Sequence, residues 1–304
     1  MSTSLPTAQP TSQQITRIGV VAKRGLRAAS DHLDRLGAWL RARNLDVIFE
    51  TETAALGGAG RGAQVRSRED LPADVDLVVV LGGDGTLLSM ATRIAQAGRD
   101  IPILGVNFGS LGFLTEIRID ELYPSLESAM AGTATLDERA MLAADAYRQR
   151  EHFDSRIVLN DVVFTKAALS RIIELSVSVT TGLMTKVKAD GLIITSATGS
   201  TAYNLAAGGP IIHPRVDAIA ITPIAPHTLT NRPVVLPATS ALTIQPIIAG
   251  GEDIFVTADG QTGYPLSAAD VVAVGRSDRV LRLVRSTERS YFGVLRQKLK
   301  WAER

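Results

Sequence analysis

An open parallel α/β domain leading into a mostly antiparallel β domain, with a C-terminal tail returning to the first, is the architecture implied by this chain of 304 residues. Three observations imply it. Short apolar runs alternate with amphipathic stretches through the first half, the punctuation of βαβ units. Beyond about residue 135 the period of the apolar residues drops to two, as in half-buried strands. The last residues then regain a helical phase.

Residues 1–15 are rich in Ser, Thr, Gln and Pro and lack an apolar signal core, so they read as a disordered tail. The α/β domain spans 16–134. Ile18 to Val21 is its first strand. Ser30 is placed to cap a helix whose Leu33, Leu36, Trp39 and Leu40 share a face, with Asp31 in the first turn and Arg41 and Arg43 in the last. Leu45 to Phe49 is a second strand, and Leu77 to Leu81, five consecutive aliphatics, has the look of one buried on both faces. Leu87, Ala91 and Ile94 form one helical stripe. Ile103 to Val106 is the next strand, and Leu122, Leu126 and Met130 mark another helix.

The β-rich domain spans 135–285. Ile173, Leu175, Val177 and Val179 alternate with Glu174, Ser176, Ser178 and Thr180. Further strands are expected at 156–165, 191–195, 217–222, 241–247, 253–258 and 270–284. A C-terminal helical tail, 286–304, puts Phe292, Leu295 and Leu299 in phase and is expected to pack on the first domain.

Lys plus Arg total 32 and Asp plus Glu 31, so no global field draws the chain to nucleic acid or an anionic membrane. With no cysteine, disulfides, thiolate nucleophiles and Cys-ligated metals are excluded, and a cytoplasmic setting fits. Residues 191–214 carry no formal charge but are full of Gly, Ser, Thr and Asn, which hydrocarbon would penalise; no membrane span is expected. The four histidines, His32, His152, His213 and His227, share no metal spacing, and no compact carboxylate cluster suggests a protein metal cage.

The chemistry-bearing turn is Gly82-Gly83-Asp84-Gly85-Thr86, directly after one strand and before a helix. Ligands of open parallel sheets bind beyond the carboxyl ends of the strands, and glycines let backbone approach a phosphate at a helix N-terminus. An acid there repels phosphate, which makes sense if Asp84 takes a proton from an attacking hydroxyl or orients a metal-bound phosphate. The competing reading is a tight turn in which Asp84 merely caps the helix. The turn is neither a Walker A loop nor a Rossmann fingerprint.

Gly82 to Thr86 resembles the turn shared by NAD kinases, diacylglycerol kinases, sphingosine kinases and, more loosely, phosphofructokinases. The rest of the chain chooses among them. Asn107 to Leu114, Leu159 to Val163, Asp190 to Leu192, Thr198 to Tyr203, Gly208 to Pro210, Pro223 to Pro233, Asp259 to Gln261 and Lys298 to Trp301 resemble bacterial NAD kinase motifs in the family's order.

That resemblance implies transfer of the ATP γ-phosphoryl group to the 2′-hydroxyl of the adenosine ribose of NAD, with Asp84 as proton acceptor. Gly83, Asp84, Gly85 and Thr86 would lie against substrate, and Mg²⁺ would ride on ATP. Asn160 and Asp161 match the family's Asn-Glu pair, with Asp one methylene shorter. Lys188 and Asp190 match further dinucleotide contacts and are expected on one side of an extended segment; Arg171 matches another contact or is a solvated charge at a strand end. Thr201, Ala202, Tyr203, Asn204, Leu205 and Ala206 would wrap the adenosine, Tyr203 stacking on or flanking the base, and Gln261 completes the set. Ala197 stands for a usual Pro and Ala206 for a usual Ser, while Phe108 replaces a polar residue and takes no assigned role. His32 is expected as an exposed helix residue, and His227 and Arg232 as structural. A homodimer or homotetramer is implied. The alternatives are a lipid kinase of the diacylglycerol or sphingosine type and a non-catalytic dinucleotide-binding regulator.

Overall fold

The computed structural model describes residues 14–60, 62–166, 172–228, 230–247, 254–261, 263–286 and 289–301. The chain forms two compact units, one of residues up to Glu138 together with those from Leu281 onward, the other Arg139–Val280.

In the first unit the strands are β1 (Arg17–Ala22), β2 (Asp46–Glu50), β3 (Gln64–Arg66), β4 (Leu77–Leu81), β5 (Ile103–Asn107) and β6 (Ile117–Arg118). The helices are α1 (Ser30–Arg41), α2 (Thr51–Ala54), α3 (Leu71–Asp74), α4 (Asp84–Gln96) and α5 (Leu122–Met130). The sheet runs β5-β4-β1-β2-β3 with every pairing parallel. β1 leads outward on one side through β2 and β3, whereas β4 and β5 lie on its other side. The direction of winding therefore reverses between β1 and β4, and their carboxyl ends flank a switch point. β4 is buried along its whole length, as five aliphatics in a row require of a central parallel strand. Leu33, Leu36 and Leu40 of α1 and Leu122 and Leu126 of α5 join it in one core.

The second unit holds β7 (Leu136–Arg148), β8 (Glu151–Val158), β9 (Asp161–Lys166), β10 (Ile173–Val179), β11 (Gly182–Ala189) and β12 (Gly191–Ser196). After the one-turn helix α6 (Tyr203–Ala206) come β13 (Ala218–Ile224), β14 (Val234–Pro237), β15 (Leu242–Pro246), β16 (Ile254–Ala258), β17 (Tyr264–Leu266) and β18 (Asp270–Val284). One antiparallel sheet runs β14-β13-β12-β9-β16-β17; the other strands pair as β11-β10-β15-β18, with β18 also beside β7 and β7 beside β8. Inward residues of both share one core, including Phe164, Leu175, Leu192, Ile194, Ile221 and Ile244. The alternation read at Ile173–Val179 holds, with Ile173, Leu175 and Val177 buried.

β7 and β18 each carry the chain across the boundary between the units. The last residues of β18 belong to the first unit, where Leu283 pairs parallel with Ile103 of β5. Arg285, just beyond, bonds Glu116 at 2.8 Å and Asp137 at 3.0 Å, all three largely buried. Arg289 donates to the Glu116 carbonyl at 2.8 Å and to Glu121 at 2.6 Å. The chain then closes with α7 (Tyr291–Leu299), capped by the Ser290 hydroxyl accepting from the Gly293 N–H.

Several local expectations are corrected. Ser30 is the first helical residue and makes no cap; a 3₁₀ turn at Arg27–Ala29 leads in, with Ala29 at the cap position. The single strand expected over 156–165 is broken at Leu159–Asn160 into β8 and β9. In α7 the buried side chains are Val294 and Leu295, while Phe292 is 57 % exposed. Strands β3, β7, β11, β14 and β17 had no clear apolar period. Among the described residues no helix is long and apolar enough to cross a membrane.

The Arg285 pairings yield a prediction. Arg285→Ala removes a buried cation shared by two buried carboxylates, which costs about 3 kcal/mol and lowers the melting temperature of the first unit by roughly 10 °C. A scanning calorimetry trace with an unmoved first transition would contradict it.

Candidate active site

The glycine turn forms because β4 must reverse into α4 within three residues. The Gly82 N–H donates to the Val106 carbonyl at 2.9 Å, holding the end of β4 against β5. A Cβ at Gly82 would lie 2.9 Å from Thr86 Oγ1 and 3.1 Å from Lys23 Cβ, so only glycine fits without displacing β1's exit. Gly83 occupies the cap position of α4 in extended conformation. At Gly83 and Gly85 a Cβ would meet nothing within 4 Å, so backbone there faces open space at a helix N-terminus.

Asp84 does not cap that helix. It is the first residue of α4, and no side-chain cap bond is formed there. Its carboxylate instead reaches the loop after β5. Oδ2 accepts from the Phe113 N–H at 2.8 Å. Oδ1 accepts from the Leu114 N–H at 3.1 Å, the Thr115 N–H at 2.9 Å and the Thr115 hydroxyl at 2.9 Å. A Cβ built on Gly112 would overlap both Asp84 Oδ1 and Thr115 Oγ1, so glycine is required where loop and carboxylate meet. Asn107, the last residue of β5, donates through Nδ2 to the Ser110 carbonyl at 2.6 Å and to Thr115 Oγ1 at 3.2 Å.

In the second unit the predicted residues group around the break between β8 and β9. Asp259, at the tip joining β16 to β17, accepts the N–H groups of Leu159, Asn160 and Asp161 on its carboxylate at 2.8, 2.7 and 3.1 Å. Its own N–H donates back to the Asp161 carbonyl at 2.9 Å. Asp259 and Gly260 both have positive φ, 51° and 65°, the conformation an Asp-Gly turn supplies at least cost. The Asn160 carbonyl accepts from the Thr195 hydroxyl and the Ser196 N–H. A Cβ on Gly199 would overlap that carbonyl, so the turn opening at Thr198 is packed directly on Asn160.

Thr201 to Ala206 follows as a 3₁₀ turn and α6. Asn204 is fully buried: Nδ2 donates to the Ser200 and Pro210 carbonyls, and Oδ1 accepts from the Thr222 hydroxyl at 2.6 Å. Its side chain therefore holds the turn together instead of facing a ligand. Tyr203 is 45 % exposed, and Thr201, Ala202 and Leu205 are half-buried. Ala197, the departure from Pro, is buried against Ile212, Ala218 and Ala220.

Lys188 and Asp190 engage different partners. β11 ends at Ala189, and Asp190 sits at the corner before β12, bonded to Lys166 at 2.8 Å, while Lys188 reaches Glu174 at 3.2 Å. Arg171 lies outside the described residues. Gln261 follows the Asp259–Gly260 turn, its N–H donating to the Ala258 carbonyl. His227 holds its loop through its backbone, donating to the Lys188 carbonyl, with its ring exposed. His32 is half-buried and packs edge-on against Phe108, ring centroids 5.3 Å apart, which gives Phe108 a packing role.

These turns rest on three residues to which sequence reasoning gave no role: Asn107 and Asp259, which it noted only as parts of motifs, and Thr115, which it missed. The Asp-Gly pair was a legible turn signal at Asp259; nothing near Thr115 announces its partner.

Burial pushes the Asp161 carboxyl up from the ordinary 3.8 to about 7, and the negative charge of Asp259 adds to the effect. Among the described residues no three His, Cys, Asp or Glu side chains converge to hold a metal ion.

An acidic glycine turn at the switch point of a parallel sheet, in one chain with a β-sandwich unit whose turns are tied by carboxylates, is the arrangement of a two-unit kinase, the class whose turn it resembles. Comparison with known proteins carries this to a family. Residues 18–134 match the ATP-NAD kinase N-terminal domain and residues 159–286 the ATP-NAD kinase C-terminal domain. The chain is 48 % identical over 292 residues to an NAD kinase of Geobacter sp. (strain M21), covering 95 % of this chain and 99 % of that one. It is 51 % identical over 267 residues to an NAD kinase of Geobacter sulfurreducens, covering 88 % and 92 %. Among solved structures, yeast NADH kinase complexed with NADH superposes with a TM-score of 0.87 at 22 % identity, over 99 % of this chain and 94 % of that one. An NAD kinase from Archaeoglobus fulgidus in complex with ATP gives 0.73 at 21 %, over 92 % and 99 %; both show the shared fold. The chain belongs to the ATP-NAD kinase family.

The raised Asp161 value sets a pH dependence. Folded Asp161 keeps its proton at pH values where the unfolded residue has lost it, so the folded state binds more protons between about pH 4 and 7. Stability on this account is greatest below pH 4, falls as pH rises to 7 and is flat above. Asp161→Asn removes that slope. Urea titrations at pH 5, 6 and 7 check it: equal pH slopes in wild type and variant would show that Asp161 ionises without penalty.

Proposed function

We propose that this protein is an NAD kinase, transferring the γ-phosphoryl group of ATP to the 2′-hydroxyl of the adenosine ribose of NAD to give NADP. The observation that carries the reading is the Asp84 turn at the switch point, in a chain whose two halves both match the ATP-NAD kinase domains. A ribose hydroxyl is a poor nucleophile, and a well-aimed carboxylate within hydrogen-bond reach assists it. Asp84 is that proton acceptor. The open backbone at Gly83 and Gly85, with Thr86 and the start of α4, suits phosphate.

Recognition of the dinucleotide falls to the second unit: Asn160, Asp161, Lys188, Asp190, Thr201, Ala202, Tyr203, Leu205, Ala206 and Gln261, with Arg171, and with Asn204 acting from inside the turn. Asn160 and Asp161 together offer donors and acceptors for ribose hydroxyls or an adenine amino group. Asp161, raised to about 7 by burial, is protonated in part near neutral pH and in that form can donate as well as accept. With no protein cage among the described residues, a divalent cation, Mg²⁺ in our reading, enters as part of the ATP substrate. A chain without cysteine suits the reducing cytoplasm.

We further propose a homodimer or homotetramer. β14 lies at the edge of its sheet with Val234 and Val235 37 % and 47 % exposed, an apolar edge of the kind that pairs with a second copy. Light scattering that returned the mass of a single chain would overturn this.

For the activity, purified protein given NAD and MgATP should form NADP. Asp84→Asn should lower kcat by at least about 100-fold while calorimetry still registers NAD binding. Turnover of a diacylglycerol or sphingosine with NAD untouched would identify a lipid kinase. NAD binding without turnover in the wild type would identify a regulator.

A further inference from the structure

The two oxygens of Asp84 are not equivalent. Oδ1 accepts three hydrogen bonds, from the Leu114 N–H, the Thr115 N–H and the Thr115 hydroxyl, and Oδ2 accepts one, from the Phe113 N–H. A carboxylate offers about four acceptor directions over its two oxygens. Oδ1 is therefore fully occupied and Oδ2 keeps a free one.

The Thr115 hydroxyl has a single proton, and its place is decided by its neighbours. Asn107 Nδ2 donates to Thr115 Oγ1, so the hydroxyl accepts there and its own proton points to Asp84 Oδ1. Asn107 is fixed in turn at its other end, where Oδ1 accepts the Gly109 N–H at 2.5 Å. That bond sets the orientation of the amide. Thr115 is fully buried and Asn107 nearly so, so water does not compete for these groups. Gly112 closes the arrangement, since any side chain there would strike Asp84 Oδ1 and Thr115 Oγ1 together.

We propose that Thr115, oriented by Asn107, is a positioning residue that anchors Asp84 through Oδ1 and leaves Oδ2 as the oxygen that receives the substrate's proton. The inference rests on the reading of Asp84 as the acceptor in transfer from ATP to a ribose hydroxyl. In that step the hydroxyl oxygen forms a bond to the γ-phosphorus. The bond from that phosphorus to the β,γ-bridging oxygen breaks, and its electron pair leaves with ADP. The hydroxyl proton passes to Asp84 Oδ2 and afterwards to water. Thr115 touches no substrate; it sets where Oδ2 points, and misplacement on the scale of 1 Å costs such a step about 100-fold.

The test is steady-state NADP formation by the full chain with NAD and MgATP, comparing Thr115→Val, Thr115→Ser, Asp84→Asn and the double variant Asp84→Asn/Thr115→Val. Thr115→Val keeps the shape and loses the hydroxyl; kcat should fall roughly 10- to 100-fold with both KM values within about twofold. Thr115→Ser restores the hydroxyl and should return kcat to within about threefold of wild type. The double variant should be no slower than Asp84→Asn alone, because residues acting as a unit are not additive. Wild-type kcat in Thr115→Val beside an inactive Asp84→Asn overturns the positioning role alone. Equal loss in the Ser and Val variants, or a change confined to KM, overturns it too. If Asp84→Asn is fully active, or wild type makes no NADP, it is the kinase reading that falls. Should Thr115→Val fail to fold, Asn107→Ser, which removes the amide donor, decides in its place: lowered kcat at unchanged KM supports the proposal and unchanged kcat overturns it.

Discussion

The glycine turn after β4 depends on one carboxylate being satisfied from the loop that follows the neighbouring strand. Asp84 begins a helix, where its negative charge suits the helix dipole, yet its hydrogen bonds come from Phe113, Leu114 and Thr115 on the loop beyond the neighbouring strand. A loop with three successive N–H groups aimed at one acceptor has little freedom. The end of β4, the end of β5 and the start of α4 are thereby held as one object, and the open backbone at Gly83 and Gly85 is presented on a rigid mount.

The loop is secured at its far end as well. Glu116, the residue after Thr115, is bound through its carboxylate by Arg285 and through its carbonyl by Arg289. Lys298 of α7 lies 5.7 Å over the ring of Phe113. The returning tail thus grips both sides of the residues that hold Asp84. In the second unit the same device recurs in another form: the Asp259 carboxylate gathers three successive N–H groups at Leu159 to Asp161 and makes a strand break where apolar alternation alone would have run on.

The legible parts of this fold were those with short-range signatures. Leu77 to Leu81 announced a central parallel strand, Ile173 to Val179 a half-buried one, and Gly82 to Thr86 a tight strand-to-helix turn that either carries chemistry or caps its helix. What stayed hidden was carried by partners distant in sequence. The bonds from Thr115 to Asp84 and from Asn160 to Asp259 obey no period, because their donors are mostly backbone N–H groups that every residue possesses. Ser30 had the chemistry of a cap but lost the position to a preceding 3₁₀ turn. Phe292, expected to pack, is exposed, and Asn204, expected to line the adenosine, is buried, since tertiary contacts decided both.

The pairing of Leu283 with Ile103 also bears on synthesis at the ribosome. The first unit begins before the second in the chain but is completed by residues that follow the second. Until Leu281 to Val284 emerge, the amino half of β5 presents an unpaired parallel edge, and Glu116 waits for its arginines. The second unit, continuous from Arg139 to Val280, has its whole sequence available first. During synthesis the β unit thus has its full sequence before the α/β unit does, and the α/β unit keeps one side of its sheet open for longer.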